Sequence, residues 1–298
     1  MQLRAATRGS ALARWQTDRV AALVAAAVAG ASVEAVVVET SADRRLDIPI
    51  WEMGGKGVFV KEVQAAVLDG RADLAVHSGK DLPSETPDGL VLAAVPLRGD
   101  PRDALVGARL HDLPAGATVA TGSVRRRAQL AWLRPDLTFR GLRGNMARRL
   151  DHVGRDGIDA IVAAAAALER LGLADRIAEV LEPAQLLPQV AQGALAIECR
   201  ADDDATRRAL AAIEDPVSRR AVDAERAFLA ELGGDCDLPA GAHATIGGDG
   251  TVTVEGLLAS LDGHVVLRHR RTGDDGEVLG REVAAHLLVN GGAALLAR

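Results

Sequence analysis

The sequence predicts an α/β protein of two lobes joined by two chain crossings, followed by a small α+β domain with an antiparallel sheet. Three observations lead there. Over the first two-thirds of the chain, short apolar runs alternate with helical patterns, which argues for α/β units with mostly parallel sheets. Two stretches, Pro96 to Asp103 and Pro188 to Gly193, read as crossings, so one domain is inserted in another. After about Pro216 the pattern changes to one helix and then to runs broken at Gly247-Gly248-Asp249-Gly250 and at Asp262-Gly263, as in hairpins.

The elements follow in order. Leu3 to Ala6 reads as a strand, and a helix runs from about Ala11 to Ala29. Val33 to Glu39 is a strand, Val60 to Leu68 a helix, and Asp73 to Val76 and Leu90 to Val95 are strands. The pattern restarts with the strand Thr118 to Ala120, a helix from Ser123 to about Leu133, and the strand Leu137 to Arg140. Asn145 to Val153 is helical, Ala160 to Ala163 a strand, and Ala164 to Leu171 a helix. In the last part, Val217 to Leu232 is a helix. Val252 to Val254 and Val265 to Leu267 alternate as hairpin strands, and a helix covers about Gly280 to Leu288.

Composition narrows the function. With 298 residues, 48% hydrophobic and 26% charged, the chain has the make-up of a globular protein of two or three domains. Its net charge is −6, yet arginines crowd between Arg125 and Arg155, with no tyrosine and three phenylalanines in the whole chain. A nucleic-acid reader is expected to be basic overall and to carry aromatic stacking platforms; a recess for a small polyanion fits better. The apolar run from Val20 to Val33 falls short of the roughly 20 residues that cross a bilayer, so no membrane segment is expected. Two cysteines make no disulfide framework and no CxxC pair, so a reducing, cytoplasmic setting is expected and no metal site.

The two cysteines differ in kind. Cys199 lies in the apolar run Leu195-Ala196-Ile197-Glu198-Cys199 and reads as a packed residue. Cys236 lies in Gly233-Gly234-Asp235-Cys236-Asp237-Leu238-Pro239, at the end of a helical segment, and asks for a chemical explanation. Four other segments place small polar residues with Arg or Lys at strand-to-helix turns. They are Thr7-Arg8-Gly9-Ser10, His77-Ser78-Gly79-Lys80-Asp81, Thr121-Gly122-Ser123-Val124-Arg125-Arg126 and Arg143-Gly144-Asn145. Ligands of α/β sheets bind outside the carboxyl ends of strands, where helix N-termini welcome anions and arginine adds bidentate bonds to carboxylates. Any one of these segments is explained as well by ordinary helix capping, Ser10 and Ser123 being good N-caps; the four together are not. Asp81 is the exception in this basic setting, either a salt-bridge partner or a catalytic group. His77 reads as a hydrogen-bonded packing residue. Gly54-Gly55-Lys56-Gly57 lacks the upstream glycine and the following Ser or Thr of a phosphate loop.

These segments carry a resemblance. Ala6-Thr7-Arg8-Gly9-Ser10-Ala11-Leu12-Ala13, Gly55-Lys56-Gly57-Val58-Phe59-Val60-Lys61-Glu62 and Ala75-Val76-His77-Ser78-Gly79-Lys80-Asp81-Leu82-Pro83 come first. Ser123-Val124-Arg125-Arg126, Arg143-Gly144-Asn145, Ala191-Gln192-Gly193-Ala194 and Cys236 follow in the same order. Over nearly its whole length the chain resembles the porphobilinogen deaminase (hydroxymethylbilane synthase) family. The resemblance implies two periplasmic-binding-protein-like (type II) α/β lobes with the active-site cleft between them. Domain 1 would take residues 1–97 and 193–214, domain 2 residues 98–192, and the cysteine-bearing α+β domain 3 residues 215–298. It implies a transferase of porphyrin biosynthesis that joins four porphobilinogen molecules, with loss of ammonia, on a dipyrromethane cofactor held by a thioether to Cys236. Water then releases the linear tetrapyrrole. A monomer is implied, with no nucleic-acid partner.

Position by position, Asp81 matches the catalytic aspartate, which helps protonate the departing amine, holds pyrrole N–H groups and stabilises the cationic azafulvene. Lys80, Thr121, Ser123, Arg125, Arg126, Arg143 and Gly144 match cofactor-binding positions. Arg8, Ser10, Arg149, Arg170 and Gln192 match substrate-binding ones, and Lys56 and Phe59 match a mobile loop over the site. The sequence departs from the family's pattern at Gly79, where a larger apolar residue is usual, at Gly122, where serine is common, and at Asp235, where glycine is usual. Gly79 is expected to loosen the loop carrying Asp81, and Asp235 to disfavour the thiolate. Two other readings compete. A two-lobed, non-catalytic anion-binding protein would need neither Asp81 nor Cys236. A thiol-nucleophile enzyme would need a histidine partner for Cys236, and His243 is the nearest.

Overall fold

A computed structural model of the chain describes residues 1–41, 57, 60–233 and 238–296. The first lobe opens with β1 (Gln2–Thr7), α1 (Ala11–Ala27), β2 (Ser32–Val37), α2 (Lys61–Leu68), β3 (Leu74–Ser78) and β4 (Leu90–Ala94). The second holds β5 (Asp103–Val106), β6 (Thr118–Ala120), α3 (Val124–Leu133), β7 (Thr138–Arg140), α4 (Met146–Asp151), β8 (Ala160–Ala164), α5 (Ala165–Arg170) and β9 (Ile177–Leu181). The chain then returns as β10 (Leu195–Arg200) and α6 (Asp204–Ala211). Last come α7 (Pro216–Glu231), β11 (Ala240–Ile246), β12 (Val252–Ala259), β13 (Val266–Gly273) and α8 (Gly276–Leu287).

Both lobes have one sheet plan. The first is ordered β2-β1-β3-β10-β4 and the second β7-β6-β8-β5-β9. In each, three strands run parallel and the fourth position is antiparallel to both its neighbours. The sheets are therefore mixed, which corrects the expectation of mostly parallel sheets. The reason lies in the crossings. β10 follows the second crossing and enters against β3 and β4, while β5 follows the first crossing and opens its sheet in the direction that the later β8 and β9 oppose. Asp103, expected at the end of a crossing, is the first residue of β5. The strands β5, β9, β10 and β11 and the helix α6 are additions to the elements that the sequence predicts. β10 is the apolar run that holds Cys199, which is fully buried, its thiol pushed up to about 11 by burial.

Local chemistry explains the helix starts. Ser10, Ser123, Asn145, Asp203, Asp215 and Asp275 each accept a backbone N–H as N-cap, and Pro216 follows Asp215 in the first turn of α7. α1 buries Gln16, Thr17, Val20 and Val24, a single stripe at helical spacing. The third domain is an antiparallel sheet, β11-β12-β13, with α7 and α8 packed on it around Phe228 and Val283.

The two crossings are zipped together. Gly99 N donates to Gly193 O at 3.0 Å. Gly193 has φ +84°, and a Cβ there would lie 2.5 Å from Gly99 O, so only glycine fits.

Candidate active site

The four basic turns all sit at carboxyl ends of strands. Arg8 and Ser10 follow β1, Gly79 to Asp81 follow β3, Thr121 and Ser123 follow β6, and Arg143 and Gly144 follow β7. In a twisted sheet those ends gather on one edge, and the two crossings turn the two edges toward each other.

On the first lobe, Arg8, Ser10, Gln16, His77, Ser78 and Asp81 line one recess together with apolar side chains of α1 and β3. Gln16 Nε2 donates to Ser78 Oγ at 2.8 Å. Asp81 ends a single 3₁₀ turn, Gly79–Asp81, whose Gly79 N donates to Ala194 O at 2.9 Å. Gly79 does not loosen this turn. It is buried, and a Cβ there would come within 2.9 Å of Ala191 Cβ on the second crossing. The small residue seats the turn against the hinge, which corrects the expected loosening. Below it, His77 Nε2 lies 3.1 Å from Glu198 Oε2, and Gln64 Nε2 donates to the same oxygen at 2.9 Å. His77 is thus a buried core residue at ion-pair distance from Glu198, and its Nε2 makes no hydrogen bond.

On the second lobe, Ser123 caps α3 through Arg126 N, and its own N–H donates to Thr121 Oγ1 at 3.2 Å. Arg149 Nε donates to Gly144 O at 2.8 Å, which folds its head back over the turn. Burial pushes the Arg149 guanidinium down from its ordinary value; Arg126 and Arg143 push the same way, and Asp81 opposes them. Arg149 of one lobe and Asp81 of the other therefore lie within electrostatic reach. Lys80 is pushed down to about 8 by burial first and by Arg126 next, with Asp81 and Asp103 pulling back. Cationic groups outnumber their counter-charges here, which suits a polycarboxylate.

Three of the expected ligand residues do something else. Asp103 is fully buried and accepts from Arg125 Nη2 at 2.8 Å and Arg126 Nε at 2.9 Å. Burial alone would raise the Asp103 pKa, but the two arginines outweigh it and hold it at about 2. Arg125 also donates to Leu187 O and Gln189 Oε1, and is 1% exposed. Gln192 is fully buried. Its Oε1 accepts from Lys80 Nζ at 3.5 Å and Arg126 Nη2 at 3.2 Å, and its Nε2 donates to Pro101 O and Asp103 Oδ1. That fills the bonding capacity of an amide. Arg125 and Gln192 thus brace the cleft floor, and the Gln192 amide, expected to bind substrate, has no bonding capacity left for it. Arg170 lies at the hinge, where its Nη2 donates to Gly193 O and its guanidinium sits 5.6 Å from the ring centroid of Trp15. Cys236, Asp235, Lys56 and Phe59 lie outside the described residues.

Sequence reasoning passed over Asp103 and Glu225. Both are acids in apolar surroundings: Asp103 begins a strand of apolar residues, and Glu225 lies on the apolar stripe of α7. A charge on a buried face is the signal of a buried ion pair.

The family model described as "Porphobilinogen deaminase, dipyromethane cofactor binding domain" matches residues 3–208, and "Porphobilinogen deaminase, C-terminal domain" matches residues 220–289. A porphobilinogen deaminase of Nitratidesulfovibrio vulgaris (strain Miyazaki F) is 47% identical, over 98% of this chain and 95% of its own length. Those of Chromobacterium violaceum and Roseiflexus castenholzii are each 48% identical, over 98% of this chain and 96% and 97% of theirs. Among solved structures, the methionine binding protein MetQ covers 73% of this chain and 92% of its own, with 13% identity and a TM-score of 0.45. With two family models spanning nearly the whole chain and full-length relatives at this identity, the chain belongs to the porphobilinogen deaminase family.

Proposed function

We propose that the chain condenses four porphobilinogen molecules head to tail in the cleft between its lobes, with Asp81 as the catalytic group. One observation carries this reading: the Asp81 carboxylate, at the end of β3, lies within electrostatic reach of Lys80 and of Arg149 on the other lobe. Family membership makes the chain an enzyme that uses a dipyrromethane cofactor, and that cofactor, when bound, supplies the pyrrole to which the first substrate is joined.

The chain's own residues supply the rest. Lys80, Thr121, Ser123, Arg126, Arg143 and Gly144 would hold the cofactor's carboxylates, and Cys236 would anchor it. The surplus of positive charge in the cleft fits such a group. Arg8, Ser10 and Arg149 would take the acetate and propionate of each incoming pyrrole, with Lys56 and Phe59 closing over it. Arg125, Gln192 and Arg170 support these positions from beneath and from the hinge. Asp81 assists proton delivery to the departing amine, and its charge then offsets the cation left on the substrate carbon. Positioned proton transfer is worth roughly 10²–10⁴-fold, and a fixed charge beside a developing cation adds to it.

The lobes divide at the crossings, residues 1–97 with 193–214 against 98–192, and the third domain begins at about residue 215. Among the described residues no helix is long and apolar enough to cross a membrane. A cytoplasmic monomer that binds no nucleic acid is the reading that the acidic net charge and small-anion cleft support. An intact mass spectrum tests the central assignment. The purified protein should exceed its sequence mass by two linked pyrroles, on Cys236 and not on Cys199. Full activity in a protein of unmodified mass, or in Cys236→Ser, would overturn it.

A further inference from the structure

The chain that leaves Asp81 is held from outside its own lobe. Before Asp81, β3 pairs with β10 as far as Ser78, opposite Leu195, and Gly79 N donates to Ala194 O. After it, residues 82–89 form neither helix nor strand. Arg226 of α7 reaches this stretch from the third domain. Its Nη1 donates to Pro83 O at 2.9 Å and its Nη2 to Ser84 O at 3.0 Å. A planar fork on two successive carbonyls fixes the tilt of the chain as well as its position.

Arg226 is partly buried. Burial pushes its guanidinium down from the ordinary value, and Glu198 opposes that push. Glu198 is the buried carboxylate beneath the Asp81 turn, 3.1 Å from His77. One guanidinium is therefore bonded to the exit of the turn and within electrostatic reach of its floor. Arg219 offers a comparison. It lies seven residues earlier, two helical turns back on the same face of α7, and its Nη1 donates to Leu92 O at 3.0 Å. Leu92 belongs to β4, which its ladder with β10 already holds. Arg219 docks the third domain on a fixed strand. Arg226 docks it on a stretch without a ladder, two residues past Asp81.

We infer, on the reading of Asp81 as the catalytic group, that Arg226 is a positioning residue for it, through which the third domain sets where the carboxylate stands. Proton delivery to the departing amine depends on that placement, and a shift of about 1 Å costs up to roughly 10²-fold. Without the fork, the stretch from Leu82 onward gains freedom, and Asp81 spends less time in line with the amine. Other residues grip the substrate carboxylates, so the loss falls on the rate at saturation rather than on affinity.

The test is single-turnover addition of porphobilinogen to cofactor-loaded protein, in wild type, Arg226→Met, Arg219→Met, Asp81→Asn and the double variant of Asp81→Asn with Arg226→Met. Intact mass checks the cofactor load, and circular dichroism the fold. Arg226→Met should lose roughly 10- to 100-fold in rate at saturating porphobilinogen, with a half-saturating concentration within about threefold of wild type. Arg219→Met, which removes a comparable domain contact, should stay near the wild-type rate. In the double variant the Arg226 change should add almost nothing to the loss from Asp81→Asn, as for two residues that act as one unit. Where Arg226→Met does not fold, Arg226→Lys, with a point charge in place of the fork, carries the same comparisons. A wild-type rate in Arg226→Met, an equal loss in Arg219→Met, or losses that multiply in the double variant overturns the positioning role and leaves Asp81 as the catalytic group. A wild-type rate in Asp81→Asn overturns both.

Discussion

Arg98 on the first crossing meets Glu225 of α7 in a bidentate pair, Nη1 to Oε1 at 2.7 Å and Nη2 to Oε2 at 3.0 Å. The same carboxylate accepts from Ala191 N on the second crossing at 2.6 Å and from Ala244 N in β11 at 2.8 Å. One fully buried anion therefore joins both crossings to the sheet of the third domain.

Removing that charge leaves a buried guanidinium without its partner. Glu225→Gln keeps the shape but turns one acceptor into a donor that faces N–H groups. It should cost about 3–5 kcal/mol, the usual penalty for breaking one side of a buried pair. Urea unfolding measures it, and an unchanged midpoint would remove Glu225 from this role.

Asp103 gives a pH signature. Its folded pKa is held at about 2 by Arg125 and Arg126, below the unfolded value of roughly 3.9. The stabilisation it brings is complete above pH about 4 and disappears as pH falls through about 2. Asp103→Asn should lower stability at pH 7 and flatten the loss between pH 4 and 2. Parallel acid limbs in wild type and variant would contradict the pairing.

Asp81→Asn should fold as wild type and lose roughly 10²–10⁴-fold in single-turnover addition of porphobilinogen, with both proteins preloaded with cofactor. Near-equal rates would reassign Asp81 to the scaffold.

Gly193→Ala puts a Cβ 2.5 Å from Gly99 O at a φ of +84°. It should destabilise by more than about 1 kcal/mol, and because it pries the crossings apart it should slow elongation as well. A thermal melt and a turnover assay on one preparation check both.

The sequence told more about what the turns are for than about how they are held. Strand-to-helix turns carry their own marks, such as Ser10 and Ser123 as caps and Asp81 among cations, because the chemistry is local. The antiparallel strands β5 and β10 left no such mark. Their direction is set by where the chain crosses, and alternation along the chain says nothing about which way a strand enters a sheet. Arg125 and Arg126 show the same limit inside one motif. Adjacent arginines look alike in sequence, yet the helix turn between them buries one almost completely and leaves the other at 7% exposure beside the cleft. Gly79 read as a loose point because glycine is flexible; its role came from Ala191, a residue far away in the chain.

Lys80 has a thermodynamic consequence. With its ammonium pushed down to about 8, a fraction of the molecules at neutral to mildly alkaline pH carry a neutral amine at that position. A carboxylate arriving next to it favours the charged form, so each binding event draws a proton from the surrounding buffer. The measured heat of ligand binding should then shift with the ionisation enthalpy of the buffer. The fraction of a proton taken up should grow as pH rises toward 8, and vanish in Lys80→Met.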